Sequence, residues 1–238
     1  MYYKWYVAYP FIAIVVVLIL GKYLNLSMKR IFEKSPIVKE FYLSWNGESN
    51  SIFYREILAK GEVKLDVLLL HGMKFSSKNW LDIKTFDILA SNGYHVIALD
   101  LPGFGRSTYE LHTGKSEFLF EFIKKVGLNN AVIISPSMSG RFSLPYLAAG
   151  KPSKAFVAIA VAGTEDIDSD DFKKFPPTLI FRGSRDVGLG ARSTETLRSY
   201  LSNYRYKEIQ DAGHACYLDK PEEFHDSLLN YLDFVNKT

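Results

Sequence analysis

A short apolar run gives way abruptly to small residues in the segment AVIISPSMSG, residues 131–140. This pattern predicts a buried strand that ends in a sharp turn and leads directly into a helix. In such a turn, the positions two before and two after the apex crowd each other and accept only small side chains. Ser137 has a small residue at both positions, whereas Ser135 and Ser139 each have a large one at one of them. We therefore predict that Ser137 occupies the apex.

Segments typical of strands alternate with helical patterns along the rest of the chain. The predicted strands are 51–58, 67–70, 94–99, 131–134, 156–161, 178–182 and 204–209. The predicted helices are 77–91, 116–126, the stretch after Ser137 to about residue 149, 194–201, and a last helix that begins at Pro221. This alternation is typical of an α/β fold with a mostly parallel, doubly wound sheet. In such sheets the functional side chains gather at the carboxyl ends of the strands.

A serine at a strand-to-helix turn is the nucleophile of the α/β-hydrolase fold, in which the usual pattern is G-x-S-x-G. Here serines stand in both glycine places, so an ordinary polar turn is the competing interpretation. The hydroxyl needs a base held by an acid, and in this fold the acid and then a histidine follow the serine along the chain. His214 lies in a glycine-containing loop between a strand and the last helix. The other histidines precede Ser137 or lie inside predicted elements: His71, His95, His112 and His225.

For the orienting acid we predict Asp186, which follows the strand 178–182 in the sequence Gly-Ser-Arg-Asp. An acid after the preceding strand could serve instead. Five acidic residues lie there: Glu165, Asp166, Asp168, Asp170 and Asp171. A cluster of this kind is also typical of a solvated loop, so Asp186 is the stronger candidate.

Negative charge that develops on an acyl oxygen needs preorganised hydrogen-bond donors. We predict the backbone N–H of Met138, directly after the nucleophile, and that of Met73, in the loop after the strand 67–70. The competing interpretation is that both are ordinary core methionines.

The remaining candidate residues do not indicate a further catalytic or binding site. The single cysteine, Cys216, excludes an internal disulfide, fits a reducing compartment, and is expected to be buried and unreactive. The glycine-containing segment 100–107 is interpreted as a structural turn and not as a phosphate cradle, because no lysine or helix start follows it. No histidine pair has the spacing of metal ligands.

Residues 5–21 carry no charge, which predicts a short transmembrane helix flanked by aromatic residues at its first end. A cleaved signal peptide is the alternative, but the small-x-small cleavage pattern is absent after Leu20. We therefore predict a membrane anchor with its flanks over residues 1–28, a linker over 29–50 and a hydrolase domain over 51–238.

The formal net charge of +3 divides unevenly, with +5 in residues 1–39 and −2 in the remainder. The basic excess therefore belongs to the anchor, which is expected to contact membrane lipid through residues 5–21, and the body has no excess that would favour nucleic acid. The same charges favour a cytosolic body. Glycosylation sequons at Asn25 and Asn236 would be used only in a lumenal body, so the orientation stays open.

Four segments, in chain order, resemble the α/β-hydrolase domain-containing protein 14 family: LLLHGMKFSSKNW, ALDLPGFGRS, ISPSMSGRFSLPYL and AGHACYLDKPEEFH. The amino-terminal span makes the chain similar to the membrane-anchored A type of that family. The resemblance implies a triad of Ser137, Asp186 and His214 and a type II topology with a lumenal body. From the soluble B type it implies acyl transfer from acetylated lysine to coenzyme A beside ester hydrolysis. Ser184 stands where we expect a second aspartate in the acid loop.

About sixteen residues separate the strands 156–161 and 178–182, too few for a substantial lid domain. We therefore expect an open pocket that accepts small acyl groups.

The expected function is a membrane-anchored serine hydrolase or acyltransferase that acts on small acyl esters, thioesters or acyl-amides through an acyl-enzyme. It needs no cofactor or metal, and coenzyme A is a candidate acyl acceptor. The alternative is a catalytically silent hydrolase-fold scaffold that binds a protein partner whose identity the sequence does not reveal.

Overall fold

The computed structural model describes residues 36–238. Their strands are β1 (Lys39–Trp45), β2 (Glu48–Ile57), β3 (Leu65–Leu69), β4 (Tyr94–Leu99), β5 (Val132–Pro136), β6 (Ala155–Ile159), β7 (Thr178–Gly183) and β8 (Tyr204–Ile209). Their α-helices are α1 (Lys78–Asp82), α2 (Thr85–Ser91), α3 (Lys115–Lys125), α4 (Gly140–Ala148), α5 (Leu189–Tyr200), α6 (Cys216–Asp219) and α7 (Pro221–Asn236).

The strands form one sheet in the order β1-β2-β4-β3-β5-β6-β7-β8. The pairs β1–β2 and β2–β4 are antiparallel, and every later neighbouring pair is parallel. All residues of the neighbouring interior strands β5 and β6 are buried. Continuous apolar runs without alternation are typical of parallel strands covered on both faces. The predicted mostly parallel sheet is therefore confirmed.

Helices cover both faces of the sheet, so the core has two layers. On one face α3, α4 and α5 contribute Phe118, Phe142 and Leu197 to a cluster that includes alternate side chains of the strands. On the other face α1, α2, α6 and α7 bury their own apolar side chains, with Trp80 and Leu228 among them. This is a doubly wound α/β arrangement, as the alternation of elements predicts.

Three parts of the predicted layout differ from the structure. The single helix predicted over 77–91 is two helices, because Lys84 adopts a left-handed φ of 62° between α1 and α2. Helix α5 begins at Leu189 instead of residue 194. Strand β1 lies within the predicted linker, 29–50, and joins the edge of the sheet. Its residues are mostly exposed apart from Trp45, so its apolar pattern is weak.

The structure contradicts two predictions, the transmembrane helix and the single-pass membrane localisation. Within residues 36–238, helices are either too short or too polar to cross a membrane. The predicted span, 5–21, lies outside the described residues, as does the whole predicted anchor over 1–28. The described residues form an α/β fold with a mostly parallel, doubly wound sheet. The connection at residues 160–177, where a lid would be inserted, holds two short 3₁₀ helices, Thr164–Asp166 and Ser169–Lys174.

Candidate active site

Ser137 stands at the apex of a strand-to-helix turn. It follows the last residue of β5 and opens a single turn of 3₁₀ helix, Ser137–Ser139, which continues into α4. Its φ of 52° lies in the left-handed region, where a residue with a side chain is strained. The turn brings the serine to the carboxyl end of the sheet, beside a cavity that it helps to line.

Ser135 and Ser139 fill the two crowded positions around the apex. Their hydroxyl oxygens lie 2.9 Å apart, and the Ser135 hydroxyl is also 2.7 Å from that of Ser143. The Ser139 hydroxyl donates to the backbone carbonyl of Pro136 at 2.8 Å. Both side chains are fully buried. Two hydroxyls that bond to each other therefore occupy the space that glycines leave empty in the usual pattern, and neither faces the cavity.

His214 connects Ser137 to Asp186 through two hydrogen bonds. Its Nε2 lies 2.8 Å from the Ser137 hydroxyl oxygen, and its Nδ1 lies 2.6 Å from Oδ2 of Asp186. With the proton on Nδ1 donated to the carboxylate, Nε2 is free to accept the serine proton. The three side chains predicted separately from the sequence thus lie within hydrogen-bond reach of one another.

Asp186 is held in place by the start of α5. Its side chain is 7% exposed, and the N–H groups of Gly188 and Gly190 donate to its two oxygens at 3.2 and 3.0 Å. A Cβ atom at position 190 would overlap the carboxylate, so only glycine allows the helix to approach this closely. Together with His214, these amides fix the orientation of the acid.

The loops that carry Asp186 and His214 are bonded to each other. The N–H of Arg185 donates to the Ala212 carbonyl at 2.9 Å. The Ser184 hydroxyl accepts from the Asp211 N–H at 3.0 Å, so the residue that replaces the expected second aspartate connects the two loops. The loops therefore hold the imidazole and the carboxylate at a fixed separation.

His71 fixes the loop that carries Met73. Its Nε2 accepts a hydrogen bond from the Leu101 N–H at 2.9 Å, so the proton lies on Nδ1, which donates to the Gly72 carbonyl at 2.8 Å. Burial lowers the pKa of His71 and favours this neutral form. Because the Gly72–Met73 peptide bond is trans, the Met73 N–H points away from the imidazole. It has no hydrogen-bond partner within the described part of the chain.

Both predicted oxyanion donors lie next to Ser137. A Cβ built on Gly72 would stand 3.5 Å from the Ser137 Cβ, which places the Met73 loop directly against the nucleophile. Met138 follows Ser137 in the 3₁₀ turn. The Met73 side chain is 62% exposed and is not a core methionine, whereas that of Met138 packs against the core.

The cavity beside Ser137 has a volume of about 330 Å³ and mostly apolar walls. It is lined by Gly72, Met73, Lys74, Phe75, Pro136, Ser137, His214, Ala215 and Tyr217. Tyr217 forms part of its wall and stacks on Trp80 at a ring separation of 4.6 Å. A cavity of this size and polarity suits the apolar part of a small acyl group.

Several of the competing acids and histidines have other partners. Asp166 pairs with Arg141 at 3.2 Å, and Asp170 and Asp171 pair with neighbouring lysines on an exposed 3₁₀ helix. His95 lies between two carboxylates, and His225 bonds to the Thr85 hydroxyl. Within residues 36–238, acidic, histidine and cysteine side chains form no cluster that could hold a metal ion.

Cys216 is fully buried, and burial raises the pKa of its thiol to about 12. A thiol that remains protonated at neutral pH is a poor nucleophile.

Two residues that support the site were not predicted from the sequence. His71 precedes a glycine directly after a buried strand, which is a usable signal, whereas the contact of Gly190 with Asp186 depends on the tertiary structure.

Comparison with known proteins agrees with the geometry. Residues 67–161 match the family model described as alpha/beta hydrolase fold. The human protein ABHD14A is 38% identical over 194 residues, which cover 79% of this chain and 71% of the relative. This chain belongs to the α/β-hydrolase domain-containing protein 14 family. A second human member of that family, named "Putative protein-lysine deacylase ABHD14B", is 40% identical over 78% of this chain and 91% of its own length.

The solved structures support the same fold for this family member. The crystal structure of a CIB-like hydrolase from Thermoplasma acidophilum superimposes with a TM-score of 0.76 and 27% sequence identity. The match covers 85% of this chain and all of the other. Family and fold together make the chain a hydrolase of the α/β-hydrolase type.

Proposed function

We propose that this hydrolase releases small acyl groups from esters, thioesters or acyl-amides through an acyl-enzyme formed on Ser137. The observation that carries the proposal is the continuous hydrogen-bond chain from Asp186 through His214 to the Ser137 hydroxyl, with separations of 2.6 and 2.8 Å. An isolated serine hydroxyl is a weak nucleophile, and an adjacent oriented imidazole is what activates it.

In the first step Ser137 Oγ attacks the acyl carbonyl carbon while its proton passes to Nε2 of His214. The negative oxygen accepts hydrogen bonds from the N–H groups of Met73 and Met138. The imidazolium then gives its proton to the leaving oxygen, sulfur or nitrogen as the bond to carbon breaks. Asp186 stays ionised throughout, orients the ring and stabilises its positive charge.

In the second step an acceptor attacks the acyl-enzyme and restores Ser137. We propose water, or a thiol such as that of coenzyme A, for this role. The name of the 40% identical human relative supports an acylated lysine amide as one substrate class for this chain. An acyl-release assay with acetyl-lysine peptide, run with and without coenzyme A, separates the two acceptors. Free acetate indicates hydrolysis, and acetyl-coenzyme A indicates transfer.

Covalent labelling with a fluorophosphonate tests the proposal directly. We expect rapid labelling of the wild-type protein and none of the Ser137→Ala variant, because the probe forms a bond only with an activated serine. Ser76→Ala, a change at a serine outside the hydrogen-bond chain, is the matched control and should be labelled like the wild type. A folded wild-type protein that is not labelled would contradict catalysis and favour the scaffold alternative.

A further inference from the structure

A second cavity lies between helix α5 and the strands β7 and β8. Its volume is about 460 Å³, and none of its lining residues belongs to the cavity beside Ser137. Arg182, Thr194, Arg198 and Tyr204 contribute the polar side chains on which the following argument rests. The volume lies within the range of cavities that bind small molecules.

Arg182 has a positive charge that is poorly matched by its surroundings. Its side chain is 24% exposed, and its Nε is buried without a hydrogen-bond partner among the described residues. The carboxylate of Glu208 is 3.8 Å from the guanidinium, beyond hydrogen-bond distance. Its two oxygens already accept from Tyr206 at 2.8 Å and from Gln210 at 3.1 Å. A guanidinium placed in this way retains donors for a further anion.

Thr194 adds a second unused donor to the same cavity. The residue is 3% exposed, and its hydroxyl is buried without a partner in the described part of the chain. A buried hydroxyl that bonds to nothing is costly, and native structures rarely retain one unless a ligand or water satisfies it.

Arg198 brings a second guanidinium to the cavity, stacked 5.0 Å above the Tyr206 ring. Stacking on an aromatic ring holds a guanidinium in one plane. The Tyr204 hydroxyl accepts from one part of its edge, and the other N–H groups remain to donate. Glu195 is the single acidic residue in the lining, so the two arginines give the cavity a net positive charge.

We propose that this cavity binds a phosphate group, either free or on a small molecule, through the guanidinium groups of Arg182 and Arg198 and the hydroxyl of Thr194. Arginine forks match the oxygen spacing of phosphate, and the hydroxyl supplies a neutral donor to the same group. The site does not depend on the chemistry at Ser137, and it can be present whether or not the proposed acyl transfer occurs.

Binding is measured on the full-length Ser137→Ala protein, in which turnover cannot interfere. Inorganic phosphate and phenyl phosphate are titrated separately at constant ionic strength, with binding read from ³¹P line broadening and from calorimetry. We expect saturable binding of at least one probe. Tighter binding of phenyl phosphate would identify a phosphorylated small molecule as the ligand, and equal or tighter binding of the inorganic ion would identify free phosphate.

Arg182→Gln and Thr194→Val test the named donors, with Arg192→Gln as the matched control on an exposed face of the same helix. We expect each of the first two to weaken binding about tenfold, since each removes a donor to a charged oxygen. Thr194→Val preserves size and removes a hydroxyl with no intramolecular partner, so the melting temperature should not fall.

Two results would overturn the proposal. One is a wild-type response to phosphate no larger than the response to sodium chloride of equal ionic strength. The other is unchanged affinity in Thr194→Val, which decides the matter alone if Arg182→Gln does not fold.

Discussion

At the scale of single residues, His95 is held between two carboxylates at the amino end of the parallel strands. Its Nδ1 lies 2.8 Å from Asp66 and its Nε2 lies 2.8 Å from Glu56. The hydrogen bond with Asp66 raises the pKa of His95, and burial opposes it without cancelling it. For Asp66, burial acts to raise the pKa, but the bonds from His95 and the Asn129 N–H outweigh it and the net pKa is lowered.

These directions predict how the stability contributed by His95 changes with pH. A folded pKa above the unfolded value gives stabilisation that is complete below the unfolded pKa and is lost as the pH rises through the folded pKa. The free energy of unfolding of the wild type should therefore exceed that of His95→Gln by about 2 kcal/mol near pH 5.5 and by much less near pH 9. Urea unfolding of both proteins at the two pH values measures this difference.

His112→Gln is the control, because His112 is exposed and lies outside this cluster. Its stability relative to the wild type should be similar at both pH values. If the difference in the free energy of unfolding between the wild type and His95→Gln grew with pH, the imidazole would be neutral between the two acids.

The candidate site could be predicted to the extent that it depends on local chemistry. The size of the neighbours pointed to Ser137, and the order along the chain pointed to Asp186 and His214; the structure brings these side chains together. What the sequence did not reveal are contacts between distant segments. The 2.9 Å bond from the Leu101 N–H to His71 and the 2.9 Å bond from the Arg185 N–H to the Ala212 carbonyl exist only once the sheet is assembled.

At the scale of elements, the first turn of α5 controls the position of the acid. This helix begins five residues before its apolar periodicity becomes visible, because buried Gly190 and Ser193 take the place of larger apolar residues there. Periodicity predicts a helix face by its large side chains, and a face built from small ones is missed. The close approach that small residues allow is what lets the helix amides reach Asp186.

Gly190→Ala separates helix stability from the geometry of the site. Alanine favours a helix over glycine, by up to about 1 kcal/mol in a helix interior, but at this first-turn position its Cβ would overlap the Asp186 carboxylate. We expect the protein to fold with a melting temperature close to the wild type and to react with fluorophosphonate at least about tenfold more slowly, because the acid and its imidazole are displaced.

Thr196→Ala, a change on the same helix away from the acid, should leave the labelling rate unchanged. A wild-type labelling rate in folded Gly190→Ala would mean that the acid tolerates displacement, and the proposed role of the α5 amides would be wrong.

At the scale of the whole molecule, the sheet presents Ser137 at a rim with little chain above it. The connection between β6 and β7 holds two short 3₁₀ helices, and Phe172 of the second is buried in the core below. The side chain of His214 is 43% exposed, although it is bonded to both neighbours. The apolar cavity of about 330 Å³ is therefore the part of the site that can desolvate a substrate.

This openness predicts a limited response to acyl chain length. Each CH₂ that enters the cavity contributes about 0.8 kcal/mol, or up to about fourfold in kcat/KM, and a CH₂ left in water contributes nothing. In a series of p-nitrophenyl esters, kcat/KM should rise over the shortest chains and then level off or fall before palmitoyl. A larger leaving group at constant acyl length is the control and should have little effect. A continued rise to palmitoyl would contradict the open site.

The sheet as a whole was predictable because its parallel strands are continuous apolar runs, which few other structures accommodate. The antiparallel edge of the sheet was less predictable. Strand β1 is mostly exposed and is recognised chiefly by its pairing with β2, from Lys39 opposite Glu56 to Trp45 opposite Glu48. Pairing of this kind is set by the neighbouring strand and leaves little trace in composition.

The two serines packed beneath the apex bear on how such chains diverge. Exchange of Ser135 alone for glycine leaves the Ser139 hydroxyl its bond to the Pro136 carbonyl, and exchange of Ser139 alone leaves the Ser135 hydroxyl its contact with Ser143. Exchange of both leaves the buried Ser143 hydroxyl with only its longer bond, 3.3 Å, to the backbone carbonyl of residue 139. The three hydroxyls therefore act as one unit, and a chain with glycine at both crowded positions is expected to differ at position 143 as well.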